Sequence, residues 1–144
     1  GGLHAELGKP AGVARNDKAR VVVCGAHLDG LVLNWQLKQR GATLVQSTQS
    51  SPDYQLYALA GGPPYRPGMV RVDQDGVAID VEVWELPSCE LGSFLTGIPA
   101  PLGLGKVQLA DGRWECGFIC EAYGLQGAEN ISHLGGWRAY LQSR

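Results

Sequence analysis

The run Val21-Val-Val-Cys-Gly-Ala-His-Leu-Asp-Gly30 stops an apolar stretch at a glycine and delivers a lone histidine into a turn. Val21, Val22 and Val23 are β-branched and read as a strand, while Gly25 and Gly30 admit backbone angles that other residues avoid. Such a turn aims consecutive peptide N–H groups, from Gly25 through Ala26, His27 and Leu28 to Asp29, at a point where an anion would sit. His27 stands beside that point, and an imidazole with an ordinary pKa of about 6.5 can give or take a proton near neutral pH. The pattern points to proton transfer on a small anionic molecule.

Other side chains with chemistry to offer are scattered. Asn34 either hydrogen-bonds a ligand or caps the turn. Arg138, in Gly-Gly-Trp-Arg-Ala-Tyr, either clamps a carboxylate with its forked guanidinium or makes a structural ion pair. Glu85 and Glu121 either orient His27 or a ligand, or are strand-end carboxylates in water. Tyr54, Tyr57, Trp84, Trp114 and Trp137 read as packing aromatics, and His4 and His133 as surface residues.

Composition limits what these residues serve. At 144 residues the chain fits one domain, and 21 glycines with eight prolines imply many turns and short strands. A net charge of −2 without a Lys/Arg cluster argues against nucleic acid or an anionic membrane as partner and suits a small polar ligand. No apolar run approaches the roughly 18 residues that span a bilayer, and no signal-like region opens the chain, so a cytoplasmic location is expected. Cys24, Cys89, Cys116 and Cys120 form no CxxC pair and have no nearby ligand histidine. They are expected to be reduced core residues, with no metal and no cofactor bound.

The elements follow from periodicity. Residues 1–19 read as a helical tether or linker and residues 20–144 as the folded domain. The missing initiator methionine suits either a trimmed chain or a piece of a larger polypeptide. After the Val21 strand, Leu33 and Leu37 mark a short helix over 32–40. Residues 42–49 and 54–60 alternate as two antiparallel strands, and 69–72 and 77–86 follow as two more. On the last of these Glu85 shares a face with Ile79, Val81 and Val83. Ser88 to Leu95 suggests a helix capped by Ser88 and ended at Gly97, and Ile98 to Gly105 a stiff loop. A hairpin over 106–120 turns at Ala110-Asp-Gly-Arg. The expected architecture is α+β: a small, mostly antiparallel β-barrel with a few short helices.

Several ordered motifs together carry a resemblance. They are Cys24-Gly-Ala-His-Leu-Asp-Gly30, Leu33-Asn-Trp-Gln-Leu37, Tyr57-Ala-Leu-Ala-Gly-Gly-Pro-Pro64, Val81-Glu-Val-Trp-Glu-Leu-Pro87, Gly92-Ser-Phe-Leu95, Ile98-Pro-Ala-Pro-Leu-Gly-Leu-Gly105, Gly117-Phe-Ile-Cys-Glu121 and Gly135-Gly-Trp-Arg-Ala-Tyr140. In this order they resemble the C-terminal domain of allophanate hydrolases, over essentially everything after Arg20. Leu3-His-Ala-Glu-Leu7 is similar to the helical link to the amidase domain of those enzymes.

The resemblance implies a γ-glutamyl cyclotransferase-like fold and a place in urea and allophanate nitrogen catabolism. It implies decarboxylation of N-carboxycarbamate, the product of an amidase step, with His27 as catalytic proton donor or acceptor. It also implies a partner amidase, as a linked domain or a separate protein, and allows a homo-oligomer. Gly25, Ala26, Leu28 and Asp29 would bind the substrate, with Asn34 and Arg138, and Pro101, Leu102 and Gly103 would supply an opposite wall. Malonate, with two carboxylates on one central atom, would mimic the substrate.

Two departures narrow the activity. The Ser-Ser-Lys arrangement of the amidase step has no counterpart here. Cys24 stands where cyclotransferases carry a tyrosine, and Phe94-Leu-Thr-Gly-Ile-Pro99 offers no general-acid carboxylate, so cyclotransferase activity is not expected. The alternative is a non-catalytic module that binds a small dicarboxylate, docks on an amidase or holds an oligomer together.

Overall fold

The structure, a computed structural model, describes residues 17–144; the proposed tether of residues 1–19 lies almost wholly outside them. Strand β1 (Lys18–Val23) is the axis of the fold. It pairs antiparallel with β5 (Asp80–Pro87), Val22 opposite Val83, and parallel with β7 (Trp114–Cys120), Val22 opposite Gly117. With β2 (Thr43–Gln49) and β6 (Leu102–Gln108) at the edges, the five-stranded sheet has the order β2-β5-β1-β7-β6. A second sheet has the order β4-β3-β8, from β4 (Pro67–Arg71), β3 (Tyr54–Ala58) and β8 (Glu129–Asn130).

Val21, Val22 and Val23 are buried because neighbours cover both faces of β1, the environment in which consecutive β-branched residues are favourable. β5 is covered in the same way. Val81 and Val83 lie on one face and Glu82, Trp84 and Leu86 on the other, all buried, while Glu85 reaches the surface and pairs with Arg20 at 3.2 Å. The core continues through Leu56, Met69, Ile79, Val107 and Ile131.

The mixed α+β class and the predominance of antiparallel pairing hold, since only β1 and β7 run parallel. The closed barrel does not. The large sheet curls until its edges meet at one end, where Ser50 bridges Leu109, the Ala110 N–H donates to the Gln49 carbonyl at 2.9 Å and Ser51 N–H to Gln108 at 2.9 Å. That contact is one bridge and not a ladder, so the rest of the seam stays open. Tyr54 ties the second sheet across it, its hydroxyl accepting from the Gln108 N–H at 2.9 Å.

Residues 42–49 and 54–60 do not pair with each other. Ser50 and Ser51 are buried at a corner between the sheets: the Ser50 hydroxyl accepts from the Ile79 N–H and donates to the Ser51 carbonyl, and Ser51 donates to Asp53. These side-chain bonds satisfy the backbone where the chain leaves one sheet for the other. Leu102 to Gly105, expected as loop, open strand β6 against β7. The helix after β1 shortens to α1 (Trp35–Gln39), and the one at 88–96 is a 3₁₀ turn (Ser88–Glu90) leading into α2 (Leu91–Thr96), with no cap bond from Ser88. A last helix, α3, spans Trp137–Gln142.

All four cysteines are free, but only Cys24 is buried; Cys89 is exposed and Cys116 and Cys120 are half-buried, so a core placement holds for Cys24 alone. Burial and the neighbouring Cys120 push the Cys24 thiol up to about 12, which leaves it protonated and unreactive.

Gly117, midway along β7, has no space for a side chain: a Cβ there would lie 2.8 Å from Val22 Cβ and 2.9 Å from Val107 Cγ2. Gly117→Ala should therefore cost about 1–3 kcal/mol through overpacking at the sheet centre, read as a lower urea midpoint with unchanged slope.

Candidate functional site

The segment between β1 and α1 is a chain of turns. Leu28 N–H bonds the Gly25 carbonyl at 3.0 Å, Leu31 the Leu28 carbonyl at 3.0 Å, Leu33 the Ala26 carbonyl at 2.9 Å and Asn34 the Leu31 carbonyl at 3.1 Å. Buried Asn34 adds a bond from its Nδ2 to the His27 carbonyl at 2.8 Å, so its place is under the loop, fixing the residue that carries the imidazole. Gly30 uses its freedom, at φ +79°, but Gly25 does not. A Cβ on Gly25 would overlap the Pro67 ring, so that glycine admits a close approach of β4.

His27 is 4% exposed. Its ring packs edge-on to Phe94 of α2 with centroids 5.2 Å apart, and tilted against Phe118 of β7 at 5.0 Å. Nε2 lies 2.7 Å from Gln36 Oε1 of α1. A carbonyl oxygen only accepts, so the neutral ring carries its proton on Nε2 and leaves the lone pair on Nδ1. Nδ1 has no partner among the described residues, and every enclosed side-chain nitrogen and oxygen among them has one, so Nδ1 borders accessible space. Burial pushes the His27 pKa down to about 4, against the opposing pull of the Gln36 bond and with a smaller push from the Arg66 charge.

The space beside His27 holds about 10 Å³, room for about one water, and is lined by Gly25, Ala26, Arg66, Pro67, Leu102 and Phe118 among others. Arg66 and Leu102 also line a neighbouring cleft of about 470 Å³, walled by the hairpin loop Leu59–Pro64, by Pro99–Leu102 and by Tyr123, Gly124 and Gln126. Among the described residues the N–H groups of Gly25, Ala26 and His27 donate to no protein acceptor.

The expected site residues therefore divide. Gly25, Ala26 and His27 meet Leu102 at the small space, and Pro101 and Leu102 wall the cleft; Gly103 pairs with Ile119 in the sheet and lines neither. Leu28 and Arg138 line a separate groove with Glu82. There the Arg138 Nη2 donates to Glu82 Oε2 at 3.0 Å and to the Asp29 carbonyl at 2.7 Å. The Asp29 N–H is taken by Glu82 Oε1 at 2.8 Å, and its side chain pairs with Lys38 at 3.2 Å. Glu121 is exposed, with its N–H on the Pro101 carbonyl at 2.9 Å. His133 is exposed as expected, and His4 lies outside the described residues.

Two residues escaped the sequence reading. Arg66 lines both spaces, and its signal was an arginine directly before Pro67 in a glycine- and proline-rich break. Glu82 was hidden because alternation put it on a face with Asp80, which is exposed. Among the described residues no cluster of His, Cys, Asp and Glu is placed to hold a metal, and no helix is long and apolar enough to cross a membrane.

Two facing sheets, short helices and a turn-rich loop after the first strand define an α+β domain of γ-glutamyl cyclotransferase-like fold. A solved γ-glutamyl cyclotransferase superposes on it with TM-score 0.52 at 15% identity, over 79% of this chain and 70% of that one, a likeness of fold alone. Within that class the chain belongs to the family described as the allophanate hydrolase C-terminal domain, whose model it matches over residues 19–142. It is 43% identical to the urea amidolyase of Saccharomyces cerevisiae over 127 residues, which are 85% of this chain and 7% of that protein. The solved allophanate hydrolase of Kluyveromyces lactis aligns with TM-score 0.85 and 40% identity over 88% of this chain and 21% of that one. The chain thus spans a small part of these relatives' length.

The depressed His27 pKa ties stability to pH. The unfolded chain binds the His27 proton at a pKa of about 6.5 and the folded chain only at about 4, so this contribution is full above about pH 6.5 and is lost as pH falls toward 4. Urea unfolding should show a loss of order 3 kcal/mol across that window, and His27→Gln should flatten that part of the profile.

Proposed function

We propose that the domain binds N-carboxycarbamate where the cleft meets the small space at His27, beside Arg66 and Leu102, and promotes its decarboxylation, with His27 as the proton carrier. In the reaction the bond from nitrogen to one carboxyl carbon breaks, its electron pair stays on nitrogen, and carbon dioxide leaves. The nitrogen takes one proton, and carbamate remains. The observation that carries the reading is the unpartnered Nδ1 of His27 beside three free amides, in a chain of this family. Those amides suit a carboxylate, as N–H groups without a protein acceptor stabilise negative charge. At rest His27 is neutral and has no proton to give from Nδ1. A bound dianion favours the imidazolium, so proton uptake accompanies binding and readies the donor. No resident cofactor enters this scheme. Carbamates lose carbon dioxide readily, so a modest acceleration is expected.

The substrate would come from an amidase, carried on the same polypeptide as this domain or on a separate protein. The narrow space at His27 favours a second reading, in which the domain binds a small dicarboxylate without reacting and serves docking or assembly.

The test feeds the purified chain the product of an isolated amidase domain and follows carbon dioxide release. A rate above buffer that falls to the buffer level in His27→Gln supports the enzyme reading. A wild-type rate no faster than buffer removes it.

A further inference from the structure

We infer that Arg66 is the specificity-determining cation of this cleft: it receives the second carboxylate of a dicarboxylate whose first carboxylate sits on the amides of Gly25, Ala26 and His27. The inference rests on the reading of the cleft as an anion site and names the group that makes the site select dianions.

Arg66 stands at the base of the β3–β4 hairpin, where its carbonyl accepts from the Leu59 N–H at 3.1 Å. The next residue, Pro67, lies against Gly25 so closely that no side chain fits there. That approach places an arginine of the second sheet beside the histidine loop of the first. Arg66 lines both the small space at His27 and the larger cleft, and among the described residues it is the only charged side chain lining the cleft.

What separates Arg66 from the other described arginines is that its side chain has no partner among the described residues. Arg20 and Arg138 pair with carboxylates, Arg113 with Asp111, and Arg40 with Ser93 and the Gln36 carbonyl. Arg71 lies over Trp114 and Arg144 over Tyr65 and Tyr140. Arg66 is half-buried, yet its guanidinium neither bonds nor stacks with any described residue. Desolvating a guanidinium without a counter-ion is unfavourable, and a carboxylate taken in bidentate fashion reverses that cost. A monocarboxylate would satisfy the amides or Arg66 but not both.

The arrangement couples charge to protonation. Facing His27 are Gln36 from α1, Phe94 from α2, Phe118 from β7, Cys24 from its own loop and Arg66, of which only Arg66 is charged. Arg40 lies over the Phe94 ring, 5.9 Å from its centroid. The Arg66 charge opposes protonation of His27, so a carboxylate that neutralises Arg66 removes that opposition. Occupancy of Arg66 and charging of His27 are thereby coupled, although burial remains the larger cause of the low His27 pKa.

Calorimetric titration of the chain with malonate and with acetate, in two buffers of different ionisation enthalpy, tests this. Malonate should bind with net proton uptake and more tightly than acetate. Arg66→Gln should weaken malonate by roughly tenfold or more while leaving acetate little changed, and Arg66→Lys should recover part of the loss. Equal malonate affinity in wild type and Arg66→Gln, with an unchanged circular-dichroism melt, overturns the role of Arg66; so does a wild type that binds acetate as tightly as malonate or binds neither. The malonate result is independent of carbon dioxide release. Arg66-dependent binding in a chain that releases none leaves the selective site standing and removes the decarboxylase.

Discussion

The loop that carries His27 is held in place by one buried carboxylate. Glu82 is 4% exposed, and its two oxygens collect the Asp29 N–H, the Trp84 indole N–H at 3.0 Å and the Arg138 guanidinium. Removing a carboxylate from water costs several kcal/mol, and only a full set of donors offsets it. Arg138 also donates to the Asp29 carbonyl, so both backbone polar groups of Asp29 are held by a single ion pair. β5, the histidine loop and α3 are thereby joined through one residue. The two ends of the chain's described part, β1 through its pairing with β5 and α3 through Arg138, meet at this point.

With that end pinned, the other end of the loop is free to be specialised. Leu28 and Asp29 spend their N–H groups on the fold, whereas those of Gly25, Ala26 and His27 have no acceptor among the described residues. The imidazole between Phe94 and Phe118 is held neutral by its burial, and Gln36 selects which nitrogen keeps the proton. Burial therefore does two things at once: it fixes the ring orientation and keeps the ring neutral. A more exposed histidine would titrate near its ordinary pKa, with less dependence on what occupies the cleft.

Much of this was legible in the residues, and the reasons for the exceptions are physical. β1, the hairpin at Ala110-Asp-Gly-Arg and the position of His27 after a strand follow from β-branched runs and turn glycines, which are local signals. The partners of β2 and β3 were not local: two buried serines carry the chain from one sheet to the other, and their polar character read as an ordinary turn. Gly25 read as a conformational glycine, but the reason for it is a proline more than forty positions away in the chain, which no local pattern reports. Arg138 was legible as either clamp or ion pair, and the choice turned on Glu82, whose burial depends on α3 packing over β5.

Arg66 shows the same limit at the site itself. His27 belongs to the five-stranded sheet and Arg66 to the hairpin of the three-stranded one, so their approach is set by how the sheets pack. That packing is fixed by polar ties as well as by the core: Gln108 on the Tyr54 hydroxyl joins β6 to β3, and the Leu56 N–H on Ser132 Oγ at 2.8 Å ties β3 to the chain entering α3. The open seam between β2 and β6 matters here. A fully closed barrel would align its strands by a continuous ladder, whereas two sheets joined at one end can set the angle at which the β3–β4 hairpin meets the histidine loop. The five-stranded frame thus presents His27, and the hairpin packed against it supplies the cation beside it.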